Sequence, residues 1–183
     1  MDAIDLMMEE HKNIKRMLKV IRKLCIKILN HEELDYNVFY EIIDFVRNYA
    51  DAHHHSKEEN ILFQKMSKVL GEKIARGPIY GMLAEHDLGR LFISHLEEAV
   101  KKVQNKDDDA KVDIIANAIA YTDLLERHIE KEDHAIYTFA KRTLSKEDIK
   151  EVEEKCERVE NLALQKNIPN QYIKLIEKLE KMV

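Results

Sequence analysis

The sequence predicts an all-α protein, an up-down-up-down four-helix bundle with additional C-terminal helices. Four glycines and two prolines in 183 residues leave little material for turns, and a charged fraction of 36% rich in Lys and Glu favours long helices. Four long segments also carry apolar residues at three- and four-residue spacing, the pattern of a helix with one buried face. We expect a single domain over residues 1–183, with the bundle in 1–141 and a helical extension in 142–183.

The first two long helices each have a polar side chain within their apolar stripe. The first is predicted from about Asp2 to Leu29, and its stripe includes His11 among isoleucines and leucines. The second is predicted from about Asp35 to Leu70, after a short polar turn, and its stripe includes His54 and Glu58. Polar groups therefore enter both predicted inner faces.

The third and fourth helices repeat this arrangement. The third is predicted to begin at Pro78, which suits the first turn of a helix because its missing N–H is not needed there, and to run to about Gln104 with His86 in its stripe. The fourth follows a charged run and extends to about Lys141, with His128 and Glu132 in line. All four stripes thus contain a histidine.

The remaining residues predict two shorter helices that are broken near Ile168-Pro169. Ser145 is followed three residues later by Asp148, which is a helix-start signal. This part of the chain has no cluster of metal-ligand residues. We expect it to cover the bundle or to support a homodimer.

Composition excludes several classes of protein. The net charge of −5 comes from interleaved Lys and Glu, and no basic stripe indicates a nucleic-acid partner. No stretch approaches the roughly 18 apolar residues of a membrane span, and the N-terminus does not resemble a signal peptide, so we expect a cytoplasmic protein without a membrane partner. Cys25 and Cys156 lie far apart, which predicts reduced, structural thiols.

Two segments repeat one motif, a histidine followed four residues later by a glutamate. They are His54 with Glu58 and His128 with Glu132. Four residues are close to one helical turn, so in each pair the imidazole and the carboxylate project from the same face. Each pair can form half of a metal site, and the repeat predicts two metal ions in the bundle.

The inner histidines need a shared partner. Leaving a buried polar group unpaired costs about 1–3 kcal/mol, and the four histidines come from four different helices. A metal cluster supplies such a partner. Imidazole with carboxylate suits iron, manganese or zinc, and carboxylates that bridge two ions favour a binuclear iron or manganese centre. Glu58 and Glu132 are the candidates for the bridge.

Four stretches together resemble the hemerythrin-like (HHE cation-binding) family over roughly residues 1–141. These stretches are residues 10–14, 54–63, 83–90 and 128–133. The resemblance implies a non-haem di-iron centre in which Glu58 and Glu132 bridge two irons. It also implies that the terminal ligands are His11, His54, His86 and His128.

One position departs from the family pattern. Oxygen-carrying hemerythrins have a second histidine one turn after the third-helix histidine, and this chain has Arg90 there. His55 is the candidate replacement, since neighbouring ligands on one helix can reach separate irons. The alternative is that His55 faces solvent, because it points about 100° away from His54 on an ideal helix. The departure argues against reversible oxygen carriage.

Several other polar residues lie near the predicted ligands along the chain or on the same helices. Glu59 is expected in a surface salt bridge, and Tyr49 and Tyr121 are expected either to donate hydrogen bonds near the site or to be core aromatics. Four histidines are expected to lie outside the site, namely His31, His53, His95 and His134.

The resemblance implies a protein that binds or reacts with oxygen, peroxide or nitric oxide in sensing, detoxification or storage. The ligand spacing does not decide whether it is an enzyme. One alternative is an iron-responsive interaction module without turnover. Another is repair of iron–sulfur clusters, which we expect less because that role goes with a cysteine-bearing N-terminal domain and His11 is already the first predicted ligand. A plain helical bundle and a mononuclear zinc protein remain open as well.

Overall fold

The fold is known from a computed structural model that describes residues 2–183. Over this range the chain is 89% helical, with six helices and no strand. The helices are α1 (Ala3–Leu29), α2 (38–70), α3 (72–104), α4 (111–143), α5 (Lys146–Gln165) and α6 (Ile168–Glu180). The predicted all-α bundle with C-terminal helices is confirmed. None of these helices is long and apolar enough to cross a membrane.

Three of the bundle helices widen locally into π-helical turns. Those in α2 cover Val46–His55 and Glu58–Leu62, that in α3 covers Ala75–Ile79, and that in α4 covers Glu132–Ile136. Wide turns of this kind are rare in proteins, and those that do occur are often found at functional sites. Two of them begin at the glutamates of the repeated His–Glu motif. The side-chain directions of an ideal α-helix therefore do not hold at these positions.

Helix ends follow the signals read from the sequence, with one exception. The Asp2 side chain accepts hydrogen bonds from the N–H groups of Ile4 and Asp5, and Ser145 with Asp148 forms a capping box at the start of α5. The predicted break before Pro169 is also present, between α5 and α6.

The exception is the start of α3. The prediction that α3 begins at Pro78 is wrong, because the helix begins at residue 72 and Pro78 lies within the π-helical turn Ala75–Ile79. The turn is made by Gly71, with φ 83° and ψ −176°. Proline lacks an N–H and its ring displaces the carbonyl four residues earlier, and a widened turn accommodates both effects.

The core consists of two apolar clusters with a polar layer between them. In α1 the smaller cluster ends at Met7 and the larger one begins at Ile14. In α2 the larger cluster ends at Ala50 and the smaller one begins at Ile61. The same interruption occurs in α3 and α4, and the predicted inner histidines and glutamates lie in it, buried.

The C-terminal helices cover the bundle. Tyr172 and Ile176 of α6 are buried in the larger cluster, and Val152 of α5 is buried in the smaller one. The Tyr172 hydroxyl donates a hydrogen bond to Asp44 (2.8 Å). Of the two roles expected for this extension, packing against the bundle is the one that the structure shows.

The backbone at Gly71 generates a stability prediction. Gly71→Ala should lower the free energy of unfolding by about 1–3 kcal/mol, because φ 83° with extended ψ is strained for any side chain. Gly81→Ala is the matched control, since it lies inside the α-helical part of α3 with open space around its Cα, and it should raise stability by about 0.5–1 kcal/mol. Chemical denaturation followed by circular dichroism measures both. Equal changes in the free energy of unfolding for the two variants would contradict the conclusion that the backbone at residue 71 requires glycine.

Candidate metal centre

The polar layer brings the predicted ligands together in two groups. Within each group, one nitrogen or oxygen atom per residue lies within 4.8 Å of the others. Site 1 consists of His55, Glu58, His86 and His128, and site 2 consists of His11, His54, Glu58 and Glu132. All of these residues are buried. Every residue that the sequence nominated as a ligand is in one of the two groups.

Glu58 lies between the two sites. Its Oε2 atom is 3.6 Å from Nε2 of His54 in site 2 and 3.5 Å from Nε2 of His86 in site 1. Its other oxygen accepts a hydrogen bond from the Tyr137 hydroxyl, and the Tyr137 ring stacks on His11 at 5.5 Å with an interplanar angle of 3°. Tyr137 therefore fixes one oxygen and leaves the other directed at both groups of imidazoles.

Glu132 has a similar position. Its Oε1 atom is 3.0 Å from Nε2 of His128 in site 1, and its Oε2 atom is 3.4 Å from Nε2 of His11 in site 2. Each oxygen of this carboxylate thus faces a different site. A carboxylate in this position could bridge two ions, one on each oxygen.

Five of the buried ligand atoms have no hydrogen-bond partner among the described residues. They are Nε2 of His11, Nε2 of His54, Oε2 of Glu58 and both carboxylate oxygens of Glu132. Each such atom costs about 1–3 kcal/mol unless something satisfies it. Cations at sites 1 and 2 would satisfy all five, and imidazole with carboxylate is a donor set that iron, manganese and zinc accept. The residues therefore fit a binuclear metal centre.

The two buried carboxylates cannot both be ionised at low cost without such cations. Burial and the neighbouring Glu132 carboxylate raise the pKa of Glu58 well above its ordinary value. Burial alone would raise the pKa of Glu132 as well, but the imidazoles around it, with His128 the strongest, lower it instead. A metal ion at the sites would oppose this rise in the pKa of Glu58, because its positive charge stabilises the ionised carboxylate.

The imidazoles of the site are also perturbed. Burial and the neighbouring His11 lower the pKa of His54 to about 4, and burial and His86 lower that of His55 well below its ordinary value. These two rings are neutral near pH 7, and neutral imidazole is the form that binds metal. Burial alone would lower the pKa of His86, but Glu132 and Glu59 raise it to about 10.

The outer nitrogen of each inner histidine donates to a carboxylate on a neighbouring helix. We call these four carboxylates the carboxylate ring. The pairs are His54 with Glu10 (2.8 Å), His86 with Glu59 (2.7 Å), His128 with Glu85 (2.8 Å) and His11 with Asp133 (2.7 Å). In order they join α1 to α2, α2 to α3, α3 to α4, and α4 back to α1. When the Nδ1–H of a neutral imidazole donates to its carboxylate, the Nε2 of that ring is left as an acceptor, whereas the Nε2 atoms of His86 and His128 lie 2.9 Å apart and share a hydrogen bond.

Each member of the carboxylate ring also binds a cationic side chain. The pairs are Glu10 with Lys57, Glu59 with Arg90, Glu85 with Lys131 and Asp133 with Lys15. Each inner imidazole is thus bonded to a carboxylate, and that carboxylate is in turn bonded to a cationic side chain. The cations keep the ring carboxylates ionised, so that they act as acceptors for the imidazole N–H groups.

Arg90, the position at which the sequence departs from the expected ligand pattern, belongs to this outer layer. Its guanidinium lies 2.6 Å from Asp51 and 2.6 Å from Glu59, and it is 39% exposed. Asp51 lies 3.4 Å from Nδ1 of His55, and Glu59 bonds His86. Arg90 thus binds both carboxylates, Asp51 and Glu59, that contact imidazoles of site 1. The expectation that Glu59 forms a salt bridge is met, but it binds a site imidazole as well.

His55 lies inside the bundle, and the alternative that it faces solvent is wrong. Its ring stacks on that of His86, with centroids 3.9 Å apart and an interplanar angle of 12°. The reason is the π-helical stretch Val46–His55, in which successive side chains diverge by less than the 100° of an α-helix. His54 and His55 can therefore face different sites of one centre.

His53 is buried too, although its place beside the apolar stripe of the second helix does not indicate this. Its Nε2 lies 2.9 Å from Glu10, and Glu160 of α5 joins the same group. These three side chains have metal-ligand spacing, but the fully buried Lys57 ammonium already binds both carboxylates. The extension thus contributes a charged residue to the polar layer. The other three histidines set aside, His31, His95 and His134, are exposed as expected.

The carboxylate ring and Tyr137 were not recognised from the sequence. A signal was present, because each ring carboxylate is the immediate neighbour of a predicted ligand along the chain. Its imidazole partner, however, lies on a different helix. Only the arrangement of the helices reveals the pairing.

Comparison with known proteins agrees with this geometry. Searches of curated proteins and of solved structures returned no match. The family model described as the hemerythrin HHE cation binding domain matches residues 2–140, well over half of the chain and the whole of the polar layer except Glu160. The chain therefore belongs to the hemerythrin HHE cation-binding domain family.

Proposed function

We propose that this protein holds two non-haem iron ions and that the di-iron centre binds or reacts with dioxygen, peroxide or nitric oxide. The observation that carries the proposal is the convergence of five unsatisfied buried atoms on the residues of site 2, of which Glu58 is shared with the imidazoles of site 1. The proposed ligands are His11, His54, His55, Glu58, His86, His128 and Glu132. Bridging carboxylates favour iron over zinc, with manganese second.

The residues around the centre would each have a distinct task. When bound, iron would supply redox chemistry and affinity for small oxygen- and nitrogen-containing ligands. Glu58 and Glu132 would provide negative charge between the ions, and the carboxylate ring would hold the imidazoles in their metal-binding tautomer. The two apolar clusters on either side would exclude water from the layer. We also propose that residues 142–183 belong to the same domain, because α5 and α6 pack on the bundle.

A second candidate function is an iron-responsive interaction module without turnover. The unsatisfied buried atoms of the polar layer favour this function. They would destabilise the metal-free fold, so metal binding would raise the free energy of unfolding. The two functions differ in a measurable way, because only the first requires a reaction or complex with peroxide, oxygen or nitric oxide.

The first test is the metal content of the purified protein. Elemental analysis should find about two irons per chain, and His54→Ala should lose at least one of them because it removes an inner imidazole of site 2. His134→Ala is the matched control, since His134 is exposed and outside both sites. Full iron content in His54→Ala would refute the assignment of His54 as a ligand, and one zinc per chain, or no metal, in the wild type would refute the di-iron proposal.

A second test separates the two sites. His55→Ala removes a ligand from site 1 alone and leaves all four residues of site 2 in place. We expect about one iron to remain, with a changed absorption spectrum. His11→Ala should instead remove the iron of site 2 and leave that of site 1. If His55→Ala retains two irons with the wild-type spectrum, His55 is not a ligand.

A third test removes the metal. A chelator should lower the Tm of the wild-type protein, because binding to the folded state alone adds about 2.7 kcal/mol when free metal is 100 times Kd. The Tm of a variant that lacks both Glu58 and Glu132 carboxylates, Glu58→Gln with Glu132→Gln, should not respond to the chelator. Stopped-flow mixing of the loaded protein with hydrogen peroxide then distinguishes the two candidate functions. Large metal-dependent stabilisation without any reaction would favour the interaction module.

A further inference from the structure

Glu10 differs in its surroundings from the other three members of the carboxylate ring. It is 5% exposed, and the Lys57 ammonium that binds it is fully buried. The cations of the other three members lie at the surface, with 36% to 44% of each side chain exposed, namely Lys15, Arg90 and Lys131. Water screens those three ion pairs, but it cannot reach the pair that Lys57 forms with Glu10.

Lys57 has a second carboxylate partner, which comes from α5. Its ammonium binds Oε1 of Glu10 and Oε1 of Glu160, and Glu160 is itself buried. Nε2 of His53 lies 2.9 Å from Glu10 and 3.5 Å from Glu160. We call these four residues the charged cluster. Its two carboxylates and one ammonium leave one net negative charge on these three groups.

The charged cluster is directly connected to site 2. Glu10 binds Lys57 through Oε1 and accepts a hydrogen bond from Nδ1 of His54 through Oε2 (2.8 Å). The other nitrogen of His54, Nε2, faces site 2. A carboxylate that accepts the outer N–H of an imidazole makes that imidazole a more basic metal ligand. The negative charge available on Glu10 therefore affects how strongly His54 can bind a metal ion.

Glu160 determines how much of that charge Lys57 neutralises. Without Glu160, Glu10 alone would balance the ammonium, and the two groups together would be neutral. With Glu160, one net negative charge stays beside His54, where the low dielectric of the interior strengthens its effect. Buried ion pairs add little net stability, because the loss of hydration offsets the attraction. Stability alone therefore does not account for the charged cluster.

We propose that Glu160 is a positioning residue for site 2, which acts through Lys57 and Glu10 to strengthen metal binding by His54 and to lower the reduction potential of the centre. The inference rests on the proposed di-iron function. It adds that the C-terminal extension tunes the centre without contacting a metal ion. The effect is centred on site 2, because the imidazoles His86 and His128 pair with carboxylates whose cations are exposed.

Glu160→Gln tests the proposal, because it removes the charge and keeps the size of the side chain. In an anaerobic titration of the metal-free protein with Fe²⁺, the variant should bind one of two irons about tenfold more weakly than the wild type does. This is the low end of the effect of changes to outer partners of metal ligands. The reduction potential of the loaded variant should rise, because loss of a nearby negative charge favours the reduced state.

Two other variants of α5 serve as matched controls. Glu157→Gln removes the same charge from an exposed position, and it should retain the wild-type Kd and reduction potential. Val152→Ala loosens the packing of α5 on the smaller apolar cluster, so it should lower the Tm without changing the Kd or the potential. If Val152→Ala reproduces the changes in Glu160→Gln, the role of Glu160 is structural and the proposal is overturned.

A double variant tests the route through Lys57. Lys57→Met with Glu160→Gln removes one charge of each sign and leaves the negative charge of Glu10, so the Kd and the potential should return toward their wild-type values. Persistence of the Glu160→Gln values in the double variant would overturn the route. A wild-type protein that binds no iron would instead refute the di-iron function itself. An unchanged Kd and potential in fully loaded Glu160→Gln would refute only the role of Glu160.

Discussion

The structure depends on the burial of two carboxylates, Glu58 and Glu132, side by side in the middle of a helical bundle. Both are fully enclosed, and each faces imidazoles from more than one helix. Two like charges in such surroundings repel one another and lack the solvation that water would provide. The arrangement therefore requires positive charge, or a proton, close to the two carboxylates. Every helix of the bundle contributes a side chain to meet that requirement.

The carboxylate ring extends this constraint to the orientation of the helices. Each bundle helix provides an inner imidazole and also a carboxylate that holds the imidazole of the next helix. Rotation of one helix about its axis would therefore break two pairs, one on each side. The ring couples the four helices in a closed cycle, so the directions of the candidate ligands are fixed before any metal arrives. Such preorganisation is what a metal site requires of its surroundings.

Much of this could be predicted from the sequence because helical periodicity reports on local geometry. The four inner stripes, the paired His54 and Glu58, and the capping box at Ser145 all depend on residues within one or two turns of each other. The predictions failed where local geometry departs from the α-helix. Pro78 lies inside a helix because a π-helical turn accommodates it, and His55 faces inward because it ends another such stretch.

Other features could not be predicted because they join helices that are distant in the sequence. Glu85 stands next to His86 along the chain, yet it holds His128, 43 residues away. The burial of His53 likewise depends on α5, which packs over a face that would otherwise be exposed. Lys57 shows the consequence most clearly. Its ammonium group is fully buried between Glu10 of α1 and Glu160 of α5, and Glu10 in turn holds His54.

Glu160 lies outside the segment that the family model matches, yet it binds a lysine in the interior of that segment. The segment that the family model matches ends at residue 140, whereas one of the two carboxylates that bind the buried Lys57 ammonium lies 20 residues further on. Without Glu160, Lys57 would share the single carboxylate of Glu10 with His53 and His54. The C-terminal helices therefore do more than cover apolar surface, because one of them supplies negative charge to the interior of the bundle.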